Sequence, residues 1–264
     1  MTRPVIALLS DFGLQDHYVA AMKGVVLGIC PDATLIDISH DIRRHDILAG
    51  ALELEAVAPY LPPGTVVVAV VDPGVGSERR GVAIEAGDLR LVGPDNGLLS
   101  RAAASRSPQR AVTLNNPVYA RGVVSRTFEG RDRFAPAAAW LASGVALDAL
   151  GPPANDLVQC DVPDAQVSAD GIDGVVLRID HFGNLITNLH RSTLERLDGP
   201  LTVRVAGAAL QGVSQAYAES APGALCALVG STERLEIAVN GGSAATLLGV
   251  ARGAAVHVRG RSRA

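Results

Sequence analysis

Thr65-Val-Val-Val-Ala-Val-Val-Asp-Pro-Gly-Val-Gly76 is the stretch on which the fold turns. From Thr65 to Val71 there is no charge and no polar alternation, so the run reads as a strand buried on both faces, with a covering layer on each side. Upstream, Pro62 and Pro63 stop a helix that Asp46 can cap and that runs toward Tyr60. Thr34 to Ile38 is a second short strand, and Asp16 to Ile29 carries apolar residues at helical spacing with Asp16 available as the cap. Val5 to Leu9 is again a continuous apolar run. The resulting βαβαβ order predicts an α/β fold whose N-terminal, mainly parallel sheet is flanked by helices.

Downstream the elements shorten. Gly81 to Glu85 and Leu89 to Val92 read as a hairpin around Gly87 and Asp88, and Leu98 to Ala104 and Phe134 to Ala142 read as helices. Gly151-Pro-Pro-Ala-Asn155, followed by Pro163 and the turns at Gly171 and Gly174, is the predicted linker, dividing the chain into residues 1–160 and 161–264. Beyond it, Val175–Ile179, Leu201–Val205, Ala224–Val229, Leu235–Val239 and Ala255–Val258 are β-rich runs between glycine turns, the pattern of a smaller, mostly β domain.

Aromatic residues make up 3% of the 264-residue chain, so Val, Leu, Ile and Ala must fill its core. A net charge of −4 argues against nucleic acid as a partner, and the basic tail Arg252–Arg263 reads as solvated. Cys30, Cys160 and Cys226 lack metal-ligand spacing and read as buried thiols. His17, His40, His45 and His181 are scattered, so no metal site is expected; they read as surface residues or residues behind a site. No apolar stretch approaches the roughly 20 residues that span a bilayer, and the N-terminus lacks a signal-peptide pattern; a cytoplasmic protein without membrane partners is expected.

Polar residues gather where apolar strands end. Ser10-Asp-Phe-Gly13, Asp72-Pro-Gly-Val-Gly76 and Gly93-Pro-Asp-Asn-Gly97 each follow a strand, and open parallel sheets bind ligands outside their carboxyl ends. Taken singly, each also reads as a turn, and none matches a phosphate-cradling glycine loop. Thr127-Phe-Glu-Gly-Arg-Asp-Arg-Phe134 reads either as a functional charged segment or as a solvated loop. Asp180, Asn184 and Asn188 sit among apolar residues, where Asx-turns are the competing explanation. Gly230-Ser-Thr-Glu233 offers backbone N–H groups in a small-residue turn.

Taken together and in chain order, Ser10-Asp-Phe-Gly13, Asp72-Pro-Gly-Val-Gly76, Gly93-Pro-Asp-Asn-Gly97, Thr127-Phe-Glu-Gly-Arg-Asp132, Ile179-Asp-His-Phe-Gly-Asn184 and Glu236-Ile-Ala-Val-Asn-Gly-Gly242 resemble the S-adenosyl-L-methionine hydroxide adenosyltransferases, relatives of the fluorinase and chlorinase. The resemblance implies an enzyme that hydrolyses S-adenosyl-L-methionine to adenosine and L-methionine by in-line attack of water at C5′. It implies no cofactor, and a homotrimer whose sites lie between the N-terminal domain of one subunit and the C-terminal domain of its neighbour. On the same basis Asp11 matches the carboxylate that accepts both ribose hydroxyls, and Phe128 and Phe182 match apolar pocket walls. Asn184 and the backbone near Asn240 and Gly241 match the adenine edge, while Asp180, Ser231 and Thr232 match the methionine end. Asp72 and Arg79, or its neighbour Arg80, fall on two of three water-positioning places. The third, a histidine in the family, is Glu129 here. Two alternatives go with this reading: a halogenase using chloride, and a non-catalytic nucleoside sensor. Carboxylates repel halide, Asp72 stands where the halogenases resemble one another in having tyrosine, and the fluorinase insertion is absent after Val75, so hydrolysis is the expectation.

Overall fold

The structure is a computed structural model describing residues 3–262, so Met1, Thr2 and the end of the basic tail at Arg263 lie outside the described residues. Two compact units divide between Asp161 and Val162.

The first unit contains β1 (Val5–Ser10), α1 (Tyr18–Ile29), β2 (Thr34–Ser39), α2 (Ile47–Val57), β3 (Val66–Val70), β4 (Gly81–Ala86), β5 (Leu89–Pro94), α3 (Leu98–Ala103), β6 (Gln109–Thr113) and α4 (Ala135–Ala142). Its sheet runs β2-β1-β3-β5-β4-β6. Pairing is parallel from β2 through β5 and antiparallel around β4. The uncharged strands are explained by the two faces they serve. Ile6, Leu8, Val66 and Val68 meet Met22 and Val26 of α1 and Leu141 of α4, whereas Ala7, Leu9, Val67 and Ala69 meet Leu54 of α2 and Leu98 of α3.

The second unit holds β7 (Gln166–Ser168), β8 (Gly171–Ile179), β9 (Leu185–His190), α5 (Arg191–Leu194), β10 (Leu197–Val205), β11 (Ala208–Gln211), β12 (Leu225–Val229), β13 (Arg234–Val239), α6 (Ala244–Leu248) and β14 (Ala255–Ser262). Its antiparallel sheet runs β11-β10-β14-β8-β9-β13-β12, with β7 beside β8. Ile172, Val176, Leu185, Leu189, Leu235 and Val256 form its core.

Several expectations change. The cap of α1 is His17, with no side-chain hydrogen bond, so Asp16 lies outside the helix; periodicity locates a helix more sharply than its end. Gly151–Asn155 is not a linker: Thr113 N–H donates to Pro152 O and Ala154 N–H to Ala111 O, adding the segment to the β6 edge. Leu185–His190, to which the sequence reading assigned no strand, is a central strand. There Asn188 stitches the chain, its Oδ1 accepting from Val175 N–H and its Nδ2 donating to Pro163 O, both at 2.8 Å. Cys30 and Cys226 are buried, whereas Cys160 is half-buried. No helix among the described residues is long and apolar enough to cross a membrane.

The cap at Asp46 has the expected geometry, its carboxylate accepting from Ala49 N–H at 3.0 Å. Asp46→Ala is expected to cost about 1 kcal/mol and to lower Tm by about 2–4 °C in thermal denaturation. An unchanged Tm would show that α2 is held by packing alone.

Candidate active site

β1 and β3 are parallel neighbours with Ser10 opposite Val70, so the segments leaving them emerge side by side at the carboxyl edge of the sheet. Asp72 follows β3, and Val75 N–H donates to Asp72 O at 3.3 Å, so the turn reading of Asp72-Pro-Gly is correct for the backbone. The side chain has a separate task. Arg79 Nε lies 3.0 Å from each Asp72 oxygen and its Nη2 also donates to Oδ2, a forked pairing of guanidinium and carboxylate. The same Nη2 lies 2.7 Å from Glu129 Oε2. Side-chain exposures of 12%, 5% and 10% for Arg79, Asp72 and Glu129 leave the three charges little water.

Glu129 thus has Arg79 against its Oε2, and Arg133 Nη2 lies 3.7 Å from its Oε1. Burial works against the charged form of Arg79, yet Asp72 and then Glu129 outweigh it and raise its pKa. Arg79 also lies over the Phe134 ring, 5.3 Å from the centroid. The neighbouring Arg80 turns elsewhere, pairing with Asp95 (Nε–Oδ2 3.0 Å) and with Asp156 at 2.7 Å. Of the two arginines, Arg79 is the one that joins Asp72 and Glu129.

Glu129 is delivered by an irregular segment. Gly130–Phe134 is a single π-helical turn leading into α4, a feature often found at functional sites. The solvated-loop reading of this segment fails, because Asp132 is fully buried and Glu129 nearly so. Burial opposes ionisation of Asp132, but hydrogen bonds from Arg131 and Ser125 N–H hold its carboxyl below the usual range. Gly76, at φ 77°, packs against the Arg126 carbonyl where a side chain would collide, and Arg126 Nη2 donates back to Gly76 O at 2.5 Å. The Asp72 loop is thereby clamped to the segment that bears Glu129.

Asp11 follows β1, and its Oδ2 accepts from His45 N–H at 2.8 Å. Phe128 is buried with Phe12 and Tyr18 in edge-on contacts, centroids 6.0 and 5.1 Å apart, and Arg131 covers its ring at 4.9 Å.

In the second unit Asp180, Phe182, Asn184, Ser231, Thr232 and Gly241 line one cleft of about 1060 Å³. Asp180 makes the Asx-turn foreseen as its competing explanation: Oδ1 accepts from Phe182 and Asn184 N–H groups, and Asn184 Nδ2 donates to Oδ2 at 2.9 Å. Phe182 is 72% exposed. Thr232 Oγ1 is buried without a hydrogen-bond partner. Asn240 is absent from the lining and braces the turn beneath: its Nδ2 donates to Ser220 O at 2.7 Å, and its N–H and carbonyl pair with Ala224 and Gly223.

Three further residues of the cleft escaped the sequence reading: Arg178, Tyr217 and Glu236. The available signal was a lone charge inside each apolar strand run, at Arg178 and at Glu236. Tyr217 donates to Glu236 Oε2 at 2.9 Å, and the Glu236 carboxyl fills the space a side chain on Gly230 would need. Burial raises the Glu236 pKa against the pull of that hydrogen bond, with Asp180 adding to the rise. Burial and then Glu236 push the Tyr217 hydroxyl up to about 12. Arg178 is lowered by its own burial.

The class is that of two-unit α/β proteins with an arginine-bridged carboxylate pair at the sheet edge and an open cleft in a β unit. Residues 6–151 match the model of the S-adenosyl-L-methionine hydroxide adenosyltransferase N-terminal domain and residues 174–257 that of its C-terminal domain. An (R)-S-adenosyl-L-methionine hydrolase from Salinispora tropica is 45% identical over 97% of this chain and 97% of its own. A fluorinase from Nocardia brasiliensis is 32% identical over 74% of each chain. The crystal structure of an uncharacterised conserved protein from Thermotoga maritima superposes with a TM-score of 0.90 at 31% identity, covering 96% of this chain and 99% of that one. The chain belongs to the S-adenosyl-L-methionine hydroxide adenosyltransferase family.

Arg79→Met leaves the buried Asp72 without its cation and Glu129 with only Arg133, 3.7 Å away, and is expected to destabilise the protein by about 3 kcal/mol in denaturant titration. Adding Asp72→Asn and Glu129→Gln should recover much of that loss; a triple variant as weak as Arg79→Met alone would mean that the arginine acts through packing.

The raised Glu236 pKa fixes a second outcome. The folded state keeps a proton that the unfolded chain releases above about pH 4.3, so stability from this group falls as pH climbs through the folded value. Glu236→Gln should therefore gain Tm relative to the parent between about pH 4 and pH 7. A constant Tm difference across that range would contradict the assignment.

Proposed function

We propose that this enzyme hydrolyses S-adenosyl-L-methionine to adenosine and L-methionine. The observation that carries the proposal is the Asp72–Arg79–Glu129 cluster at the carboxyl edge of the sheet. The water oxygen bonds to C5′ as the C5′–S bond breaks, its electron pair going to sulfur, and the oxonium that forms passes one proton to a carboxylate beside it, Asp72 or Glu129, and from there to solvent. Sulfur leaves as a neutral thioether and needs no general acid. Holding water in line with that bond is then the main task. Asp72 and Glu129 accept its hydrogen bonds, and Arg79 keeps both carboxylates oriented.

Asp11 accepts the two ribose hydroxyls in this reading. Phe128 and Phe182 wall the pocket, Asn184 with the backbone at Gly241 meets adenine, and Asp180, Ser231 and Thr232 take the methionine end. The unpartnered Thr232 hydroxyl supports a polar ligand there. The substrate is itself the reactive group, so the reaction as written needs no cofactor. A homotrimer acting in the cytoplasm, its sites formed between subunits, is part of the same proposal; the open cleft and exposed Phe182 are what such an arrangement needs. The name of the Salinispora relative extends the proposal to the (R) sulfonium epimer.

Incubation with each sulfonium epimer in chloride buffer, followed by chromatography, tests the reading. Adenosine and methionine in equal amounts, formed faster from the (R) epimer, are expected, without 5′-chloro-5′-deoxyadenosine. Asp72→Asn and Glu129→Gln should each lower kcat by about 10²-fold. Fully active Glu129→Ala, or a chlorinated product, would overturn the water-positioning assignment.

A further inference from the structure

Ser10, His40 and Asp37 form a hydrogen-bonded series that the reaction above does not use. Ser10 Oγ lies 2.7 Å from His40 Nδ1, and His40 Nε2 lies 3.0 Å from Asp37 Oδ1. Lys23 Nζ donates to Asp37 Oδ2 at 2.6 Å. A register shift at the end of β2 makes the series possible: Leu8 pairs with Asp37 but Leu9 with Ser39, which carries His40 over the end of β1.

The partners set the direction of each bond. Ionised Asp37 only accepts, so His40 Nε2 carries hydrogen; in the neutral ring Nδ1 then accepts from the Ser10 hydroxyl. Ser10 Oγ keeps a lone pair for Phe12 N–H at 3.4 Å. Burial opposes ionisation of Asp37, but Lys23 and His40 together hold its carboxyl below the usual range. A serine–histidine–aspartate nucleophile is excluded by access: Ser10 is 1% exposed and His40 5%.

The same loops meet twice more. Gly13 N–H donates to His40 O at 2.8 Å. His45, held at φ 64° in the left-handed region, aims its N–H at Asp11 Oδ2. Asp11 is therefore fixed by its own carboxylate and by anchors on Ser10, Phe12 and Gly13. We infer that the Lys23–Asp37–His40–Ser10 series is a positioning device that presets the Asp11 carboxylate for the two hydroxyls of a ribose. Ser10, His40 and Asp37 are positioning residues acting through Asp11, and the inference rests on the ribose role proposed for that residue.

The experiment is calorimetric titration of the full chain with adenosine and with 2′-deoxyadenosine, for the parent, Ser10→Ala, Asp37→Ala and Asp11→Asn. The parent should bind adenosine about tenfold or more tighter than 2′-deoxyadenosine, the worth of one hydrogen bond to a charged group. Ser10→Ala and Asp37→Ala should compress that ratio below about threefold while leaving 2′-deoxyadenosine affinity unchanged. Asp37 is partly exposed, so its variant reports even if Ser10→Ala fails to fold. Retention of the parent ratio in these variants, or equal weakening of both nucleosides, overturns the positioning role. If Asp11→Asn loses the ratio while the other two keep it, the ribose reading stands and the device alone falls; if Asp11→Asn keeps it, both fall.

Discussion

Arg79 donates to both oxygens of Asp72 while its Nη2 lies 2.7 Å from Glu129 Oε2, three charges with little solvent among them. Glu129 has a second cation, Arg133, whose Nη2 lies 3.7 Å from Oε1, so two carboxylates meet two guanidiniums, and in a site poor in water their charges act with little screening. The carboxylate oxygens act here as local acceptors. They favour positive charge on a water that is forming a bond to carbon, and they repel halide. In the proposed reaction Glu129 offers an acceptor to water, and the adjacent cation ties its position to Arg79 and Asp72.

The sheet supplies this geometry through strands that cannot be shifted cheaply. β1 and β3 are buried on both faces, and a one-residue slip would exchange the residues facing α1 with those facing α2. Their register sets Asp11 and Asp72 on neighbouring exits. The connecting segments are then pinned: Arg126 holds the Asp72 loop, the buried Asp132 holds the π turn, and the His40 and His45 region holds Asp11. Two of the irregular backbone features lie at these places, at His45 and at Gly130–Phe134, where a side chain must be aimed rather than merely buried.

Hydrophobic continuity made the first unit legible, since Val5–Leu9 and Thr65–Val71 have no other economical reading than strands covered on both sides. The site was legible only as a set of motifs, because each of Asp72-Pro-Gly and Asp180–Asn184 is also a sound turn, and both turns are present in the structure. What escaped depends on pairing between distant segments. The strand Leu185–His190 carries Thr187 and Asn188 in its interior, and these are satisfied only by the distant Leu235, Val175 and Pro163. Proline and glycine at Gly151–Pro153 suggested a linker, whereas backbone bonds to Ala111 and Thr113 make the segment part of the sheet edge. His40 and His45, scattered in sequence, meet the Asp11 loop only once the β2 register shift has formed.

Direct attack of water at C5′ has a signature that no other route shares. A single turnover, with enzyme in excess, in ¹⁸O-labelled water of S-adenosyl-L-methionine made stereospecifically deuterated at C5′ reads the oxygen source and the stereochemical course together. Adenosine carrying the label in its 5′ hydroxyl with inverted configuration at C5′, and methionine free of it, is the expected result. Retention of configuration would mean that a carboxylate, Asp72 or Glu129, had attacked carbon first, and it would contradict their assignment as holders of water.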